Sequence, residues 1–229
     1  MTVTNRQVLF SGVFLLSRMK ALPLLLLLFS LPASDARIFT NKEGKKIEAE
    51  YVSATETHVV LKLKKTGRSY TLEISKLSDD DIAFIEETRD EIAEAKRKAS
   101  KQVQVAEAIV AFAEANKGKK VGNGECWTLA DQAYKNAKAN RPGGRVWGRV
   151  VDWKEEDILP GDILELESAK FSNGSKSGPN HTAIVMSKGR RGSFTVYHQN
   201  WGRPGKIVST TGFDLNELTS GKAIVYRFK

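Results

Sequence analysis

Between residues 37 and 77, apolar and polar residues alternate in short runs, which is the pattern of β-strands in a half-buried sheet. The segments Asn41-Lys-Glu-Gly44 and Lys64-Lys-Thr-Gly67 are typical of tight turns, and a run at 58–63 lies between them. The alternating apolar positions of the other runs are Ile47, Ala49, Tyr51, Tyr70, Leu72 and Ile74. We therefore predict a small all-β domain over residues 37–78.

A helix is predicted to begin at Ser78, because its hydroxyl can cap the first turn and three aspartates follow it. Neither Gly nor Pro occurs from 78 to 117, and one helix of that length would span roughly 60 Å. We therefore expect a break near 99–102, with residues 79–102 forming a helical linker. A C-terminal domain over 103–229 would begin with a second apolar stripe, formed by Val105, Ala108, Ile109 and Phe112.

The C-terminal domain is predicted to combine a short helix with several strands. From Cys126, small or apolar residues recur at helical spacing, at Leu129, Ala130, Ala133 and Ala137. Strands are predicted at 163–166, 182–186, 194–198 and 221–229. If the chain turns tightly at Gly189-Arg190, His181 and His198 pair across the resulting hairpin.

The N-terminus has the three parts of a secretory signal. Arg18 and Lys20 precede an apolar run at 21–31, and the small residues Ala33 and Ala36 follow it. We expect cleavage after Ala36 or Ala33, export of the remaining chain, and no membrane span in the mature protein.

The chain carries 36 Lys and Arg against 27 Asp and Glu, a formal net charge of +9. The basic residues are spread out, so we do not expect a dedicated nucleic-acid-binding protein. Binding of an anionic polymer stays open as a minor alternative. With a single cysteine the protein has no internal disulfide, and a lone thiol in an exported chain is a candidate reactive group.

Cys126 opens its predicted helix, where free backbone N–H groups and the helix dipole favour the thiolate. His181 can take the proton of this thiol, and His198 or Asn200 can orient the His181 ring. These are the parts of acyl transfer through a thioester. Each residue also has a plain structural interpretation, as a small buried cysteine or a packed histidine. Three histidines and one cysteine, widely spaced, predict no metal site and no other cofactor.

Four motifs of the C-terminal domain carry a family resemblance: Gly122-x-Gly-Glu-Cys-Trp127, Leu159-Pro-Gly-Asp-Ile-Leu164, His181-Thr-Ala-Ile-Val185 and His198-Gln-Asn-Trp201. Together they resemble the papain-like NlpC-type and CHAP families of wall-active cysteine peptidases. They are also similar to the cysteine-proteinase-fold domain of the fungal cortical actin-patch proteins Bbc-one and Aim-three.

The resemblance implies that Cys126 is the nucleophile and His181 the base. The third member is His198 by the NlpC pattern and Asn200 by the papain pattern, and we favour His198. The resemblance also places the backbone N–H of Cys126 in the oxyanion hole. The weaker candidates for the substrate cleft are Asn123, Glu125, Trp127 and Trp201.

A second resemblance covers the β domain. The run Arg37-Ile-Phe-Thr40, the turn glycines Gly44 and Gly67, and Leu77-Ser-Asp-Asp-Asp81 resemble the first Sla homology domain, an SH3-like barrel. In fungal adaptors this domain binds short peptides, and the resemblance implies a similar ligand here.

The predicted fold class is therefore α+β, with a small SH3-like β-barrel followed by a papain-like domain. The leading functional hypothesis is an exported thiol hydrolase that cleaves peptide or amide bonds, with cell-wall peptides as candidate substrates. The alternative is an inactive cysteine-proteinase-fold scaffold or peptide-binding adaptor.

Overall fold

The computed structural model describes residues 35–203 and 205–229. It divides the chain into two compact units, one ending at Ile85 and the other beginning at Glu86. Over the described residues the architecture is a mixed α/β arrangement with two sheets and two α-helices. The predicted signal sequence, residues 1–36, lies outside the described residues except for its last two positions.

The first unit is a four-stranded antiparallel sheet. Its strands follow chain order, β1 (Arg37–Thr40), β2 (Lys46–Ala54), β3 (His58–Leu63) and β4 (Ser69–Glu73). Because side chains alternate across a strand, one face of the sheet carries the apolar residues. The core of the unit comprises Phe39, Ala49, Val59, Leu61, Ile74, Leu77 and Ile85.

After β4 a single 3₁₀ turn, Ile74–Lys76, brings the chain back to β1. The amide of Ser78 donates to the Thr40 carbonyl at 2.8 Å, and the amide of Lys42 donates to the Lys76 carbonyl at 2.9 Å. The end of β1 is therefore paired on both sides, by β2 and by the segment after the turn.

Helix α1 (Asp79–Ala115) follows directly. The Ser78 hydroxyl accepts a hydrogen bond from the Asp81 amide at 3.4 Å, as expected of the capping residue. The predicted break near 99–102 is absent, because α1 is one helix of 37 residues. Without Gly or Pro nothing in the local sequence interrupts the backbone hydrogen bonds, so length alone was a poor reason to expect a break.

The second unit contains the later part of α1, helix α2 and a six-stranded antiparallel sheet. The sheet order is β5-β10-β6-β7-β8-β9. These elements are α2 (Cys126–Asn136), β5 (Arg149–Val151), β6 (Ile163–Phe171), β7 (His181–Lys188), β8 (Ser193–His198), β9 (Ser209–Asp214) and β10 (Leu218–Arg227).

Both faces of the central strands β6, β7 and β8 are largely buried. One face, represented by Ile184 and Tyr197, packs with residues of α1 and α2 such as Ile109 and Leu129. The other face packs with the segments flanking the sheet and includes Leu164, Leu166, Ala183, Val185, Val196 and Phe213. Successive residues of β7 and β8 therefore belong to different cores, as the period of two requires.

Candidate functional site

Cys126 is the first residue of α2, and Glu125 occupies the N-cap position. The Glu125 side chain makes no capping hydrogen bond. It accepts instead from Lys206 Nζ at 2.8 Å and from Asn200 Nδ2 at 2.9 Å. Cys126 is buried, with 7% of its surface exposed. Within residues 35–203 and 205–229 its thiol has no hydrogen-bond partner.

His181 begins β7 and His198 ends β8, and their rings lie 5.5 Å apart between centroids. The register of the hairpin differs from the tight turn assumed from the sequence, because Ile184 pairs with Tyr197 rather than with Thr195. A bulge at Met186 and a longer turn account for the difference. Since the shift at Ile184 is two residues, the two histidines stay on one face and remain neighbours.

Both imidazole rings are buried, with 3% of His181 and 1% of His198 exposed. His198 Nε2 lies 2.9 Å from the Thr211 hydroxyl. His181 Nε2 and His198 Nδ1 are buried without a hydrogen-bond partner among the described residues. Burial lowers the pKa of His181 to about 3, helped by the nearby His198 and Arg145, and lowers the pKa of His198 to about 4.

Trp201 packs against this histidine pair. Its ring centroid lies 4.5 Å from that of His181 and 6.0 Å from that of His198, and it also contacts Phe213 at 5.4 Å. Trp201 belongs to the core on the side of the sheet away from α2. The aromatic ring therefore covers the histidines with apolar surface.

The histidines and α2 are associated with opposite faces of the sheet. His181 pairs with Leu166 in register, and Leu166 belongs to the core away from the helices. His198 is two residues from Val196 in the same core, whereas α2 packs on the face of Ile184 and Tyr197. Cys126 lies at the start of a helix and the two histidines lie side by side, as the sequence predicts. In the structure, however, the Cys126 thiol makes no hydrogen bond to either imidazole ring.

A family model for the AIM3/BBC1 cysteine proteinase-fold domain matches residues 87–228, more than half of the chain. The chain belongs to this family.

A relative of the AIM3/BBC1 domain is Altered inheritance of mitochondria protein 3 of Debaryomyces hansenii, 28% identical over 180 residues. The match covers 68% of this chain and 19% of the relative, so the chain spans about a fifth of that protein's length. No solved structure matches.

The other predicted site residues lie at the surface of the AIM3/BBC1 domain. Asn200 has a left-handed backbone, φ 59°, and donates to Glu125 rather than to a histidine. Asn123 accepts from the Glu125 amide at 2.9 Å, and Trp127 is 38% exposed. The structure therefore places His198, not Asn200, beside His181.

Gln199 was not predicted as a functional residue, although it connects β8 to α2. Its side chain accepts from the Val121 amide at 3.1 Å and donates to the carbonyls of Val121 and Glu125 and to the Thr128 hydroxyl at 2.8–2.9 Å. Gln199 is fully buried. Gln199 directly follows His198, and its side chain fixes the position of the backbone that precedes α2 through these hydrogen bonds.

A buried carboxylate was also missed. Glu165 accepts from the Trp147 indole at 2.6 Å and from the Thr182 hydroxyl at 2.7 Å. Burial raises the pKa of Glu165, while these donors and Arg145 oppose the rise. The donors satisfy the carboxylate within the core, so the group has a structural role.

The described residues contain no group of three or more potential metal ligands. No helix in this part of the chain is long and apolar enough to cross a membrane. A surface groove of about 440 Å³ lies in the first unit and is lined by Phe39, Asn41, Lys45, Ile47, His58, Thr71, Leu72, Glu73, Lys76 and Leu77.

Proposed function

We propose that this protein is a non-catalytic adaptor, in which the cysteine-proteinase fold serves as a scaffold and the first unit binds a peptide. The observation that carries the proposal is the buried histidine pair, which is covered by Trp201 and makes no hydrogen bond to Cys126. A cysteine nucleophile needs a base within hydrogen-bond reach.

The electrostatics of His181 also favour a non-catalytic role. A general base works best when its pKa is near the operating pH. With a pKa of about 3, His181 has a much weaker affinity for a proton than an ordinary imidazole. Extracting a proton from the thiol would place a charged imidazolium against apolar surface, which burial disfavours.

The first unit supplies the binding surface in this proposal. Its four strands, its 3₁₀ turn and the return of the chain to β1 are consistent with an SH3-like barrel of the Sla homology type. The groove of about 440 Å³ has an apolar base formed by Phe39 and Leu77 and exposed polar residues such as Lys45 and His58. This volume lies within the roughly 300–1,000 Å³ of ligand-binding pockets.

The relative is named for the inheritance of mitochondria and not for a chemical reaction. That name supports an adaptor more readily than a hydrolase. Export through the N-terminal signal remains part of the proposal, and its test is the N-terminal sequence of the mature protein, expected at Arg37 or Ser34.

The test of the scaffold is the rate of Cys126 alkylation by iodoacetamide as a function of pH. The native protein should label more slowly than the same protein unfolded in urea, because the thiol is buried. The variants His181→Ala and His181→Gln should label like the wild type, once their tryptophan fluorescence shows that they are folded. Rapid labelling at pH 6 that either variant abolishes would refute the proposal.

A thiol hydrolase acting on peptides is the second candidate, and one observation favours it. His181 Nε2 and His198 Nδ1 are both unpartnered, in rings 5.5 Å apart. Rings at this separation are neighbours, as a base and its orienting residue must be. Hydrolysis of wall-peptide fragments that is lost in Cys126→Ala would establish this candidate.

A further inference from the structure

A second groove lies between α1 and the end of α2, within the second unit. It has a volume of about 330 Å³ and is lined by Lys101, Gln104, Val105, Ala137 and Lys138. Val105 is buried and Ala137 half-buried, whereas both lysines and Gln104 are exposed. The groove therefore has an apolar floor and a polar, basic rim.

The two lysines carry charges that the protein does not neutralise. Neither Lys101 nor Lys138 has a carboxylate within ion-pair distance in the described part of the chain. The nearby cations Lys135 and Arg141, in contrast, both form ion pairs with Asp131, at 2.7 and 3.1 Å. The groove is thus bordered by two cations that are available to a negatively charged partner.

The backbone at Lys138 is held in a conformation that costs free energy. Helix α2 ends in a Schellman motif, in which the Ala139 amide donates to the Tyr134 carbonyl at 2.9 Å and the Lys138 amide to the Lys135 carbonyl at 3.1 Å. Lys138 occupies its left-handed position, φ 52°, which glycine fills without strain. Replacing Lys138 by glycine would therefore relieve this strain.

We propose that this groove binds an acidic peptide segment. Two carboxylates of the peptide pair with Lys101 and Lys138, and an apolar side chain between them packs on Val105 and Ala137. The side-chain amide nitrogen of Gln104 donates to Ser100 Oγ at 3.5 Å, and its carbonyl oxygen can accept from the peptide backbone. Two free cations are few for a nucleic acid, which is held through many phosphates. The site is separate from the groove of the first unit and does not depend on it.

The probe is a fluorescein-labelled peptide of alternating Glu and Leu, titrated with the full-length protein and followed by anisotropy. We expect Lys101→Gln and Lys138→Gln each to weaken binding about threefold, as for exposed ion pairs. The matched control is Lys96→Gln, on the same helix but turned by roughly 140° around its axis, which should bind like the wild type. A peptide with Gln in place of Glu should not bind.

A further variant, Lys138→Gly, separates binding from folding. It should weaken the peptide as much as Lys138→Gln does, yet raise the urea midpoint of unfolding, because it relieves the left-handed strain. The proposal is overturned by equal weakening in Lys96→Gln, by undetectable binding of the acidic peptide, or by preferential binding to phosphatidylserine vesicles. These results do not depend on the first unit. They would be the same if its groove bound no peptide.

Discussion

Acidification should unfold the second unit, because His181 and His198 are buried in their neutral form. In the unfolded chain both rings bind protons with the ordinary pKa of about 6.5. In the folded protein their pKa values are lowered to about 3 and about 4. Between these limits the unfolded state binds more protons, so stability is fully present above pH 6.5 and falls as the pH drops.

The loss of stability at a given pH follows from how far that pH lies below the ordinary histidine pKa of about 6.5. At pH 5 each histidine should destabilise the fold by about 2 kcal/mol, giving about 4 kcal/mol for the pair. Both rings are at least nine-tenths buried, so solvent screens little of this cost. The loss should continue to about pH 3, but below pH 5 the carboxylates also titrate, which makes the interval from 7.5 to 5.0 the informative one.

The assay is urea unfolding at several pH values, followed by tryptophan fluorescence. The four tryptophans all lie in the second unit, so their signal reports on that unit alone: Trp127, Trp147, Trp153 and Trp201. His181→Gln should halve the loss of stability between pH 7.5 and 5.0, whatever its stability at pH 7.5. His58→Gln is the matched control, since His58 is exposed in the first unit.

A loss of less than about 1 kcal/mol in the wild type would show that the histidines are not held neutral by burial. An unchanged slope in His181→Gln would assign the acid sensitivity to other groups.

Three further substitutions test the packing around the site by urea unfolding. Thr182→Val keeps the shape but removes a donor to Glu165, and should cost about 2 kcal/mol, with Thr182→Ser as the control that retains the hydroxyl. Gln199→Leu should cost about 3 kcal/mol and accelerate alkylation of the thiol, because the backbone before α2 loses its partners. Gly161→Ala should cost about 3 kcal/mol, since φ is 88° and the new Cβ would lie 2.8 Å from Ala106; an effect below 1 kcal/mol would contradict that geometry.

Local sequence determined most of the elements. Alternation and turn residues specify β2 to β4, and the hydroxyl of Ser78 with its aspartates specifies the start of α1. The helical spacing after Cys126 specifies α2. The neighbourhood of His181 and His198 was also predictable, because a register shift of two residues leaves the side chains on the same face.

The site itself depended on tertiary structure. The period of two shows that both histidines share a face, but not which face α2 covers, since both faces of the central strands are apolar. Asn200 donates a hydrogen bond to Glu125 instead of to a histidine, and this contact could not be predicted because the two residues are far apart in sequence. The role of Gln199 is equally non-local, because its partners are more than 70 residues away.

The sequence by itself therefore determined most elements, the position of the thiol at a helix start and the placement of the two histidines on one face of the sheet, because these follow from local periodicity and capping. Tertiary structure alone decided that the imidazoles are buried beneath Trp201 and unbonded to Cys126. The physical reason is that burial and the choice of sheet face arise from packing between distant segments, and these in turn set the proton affinity of the rings.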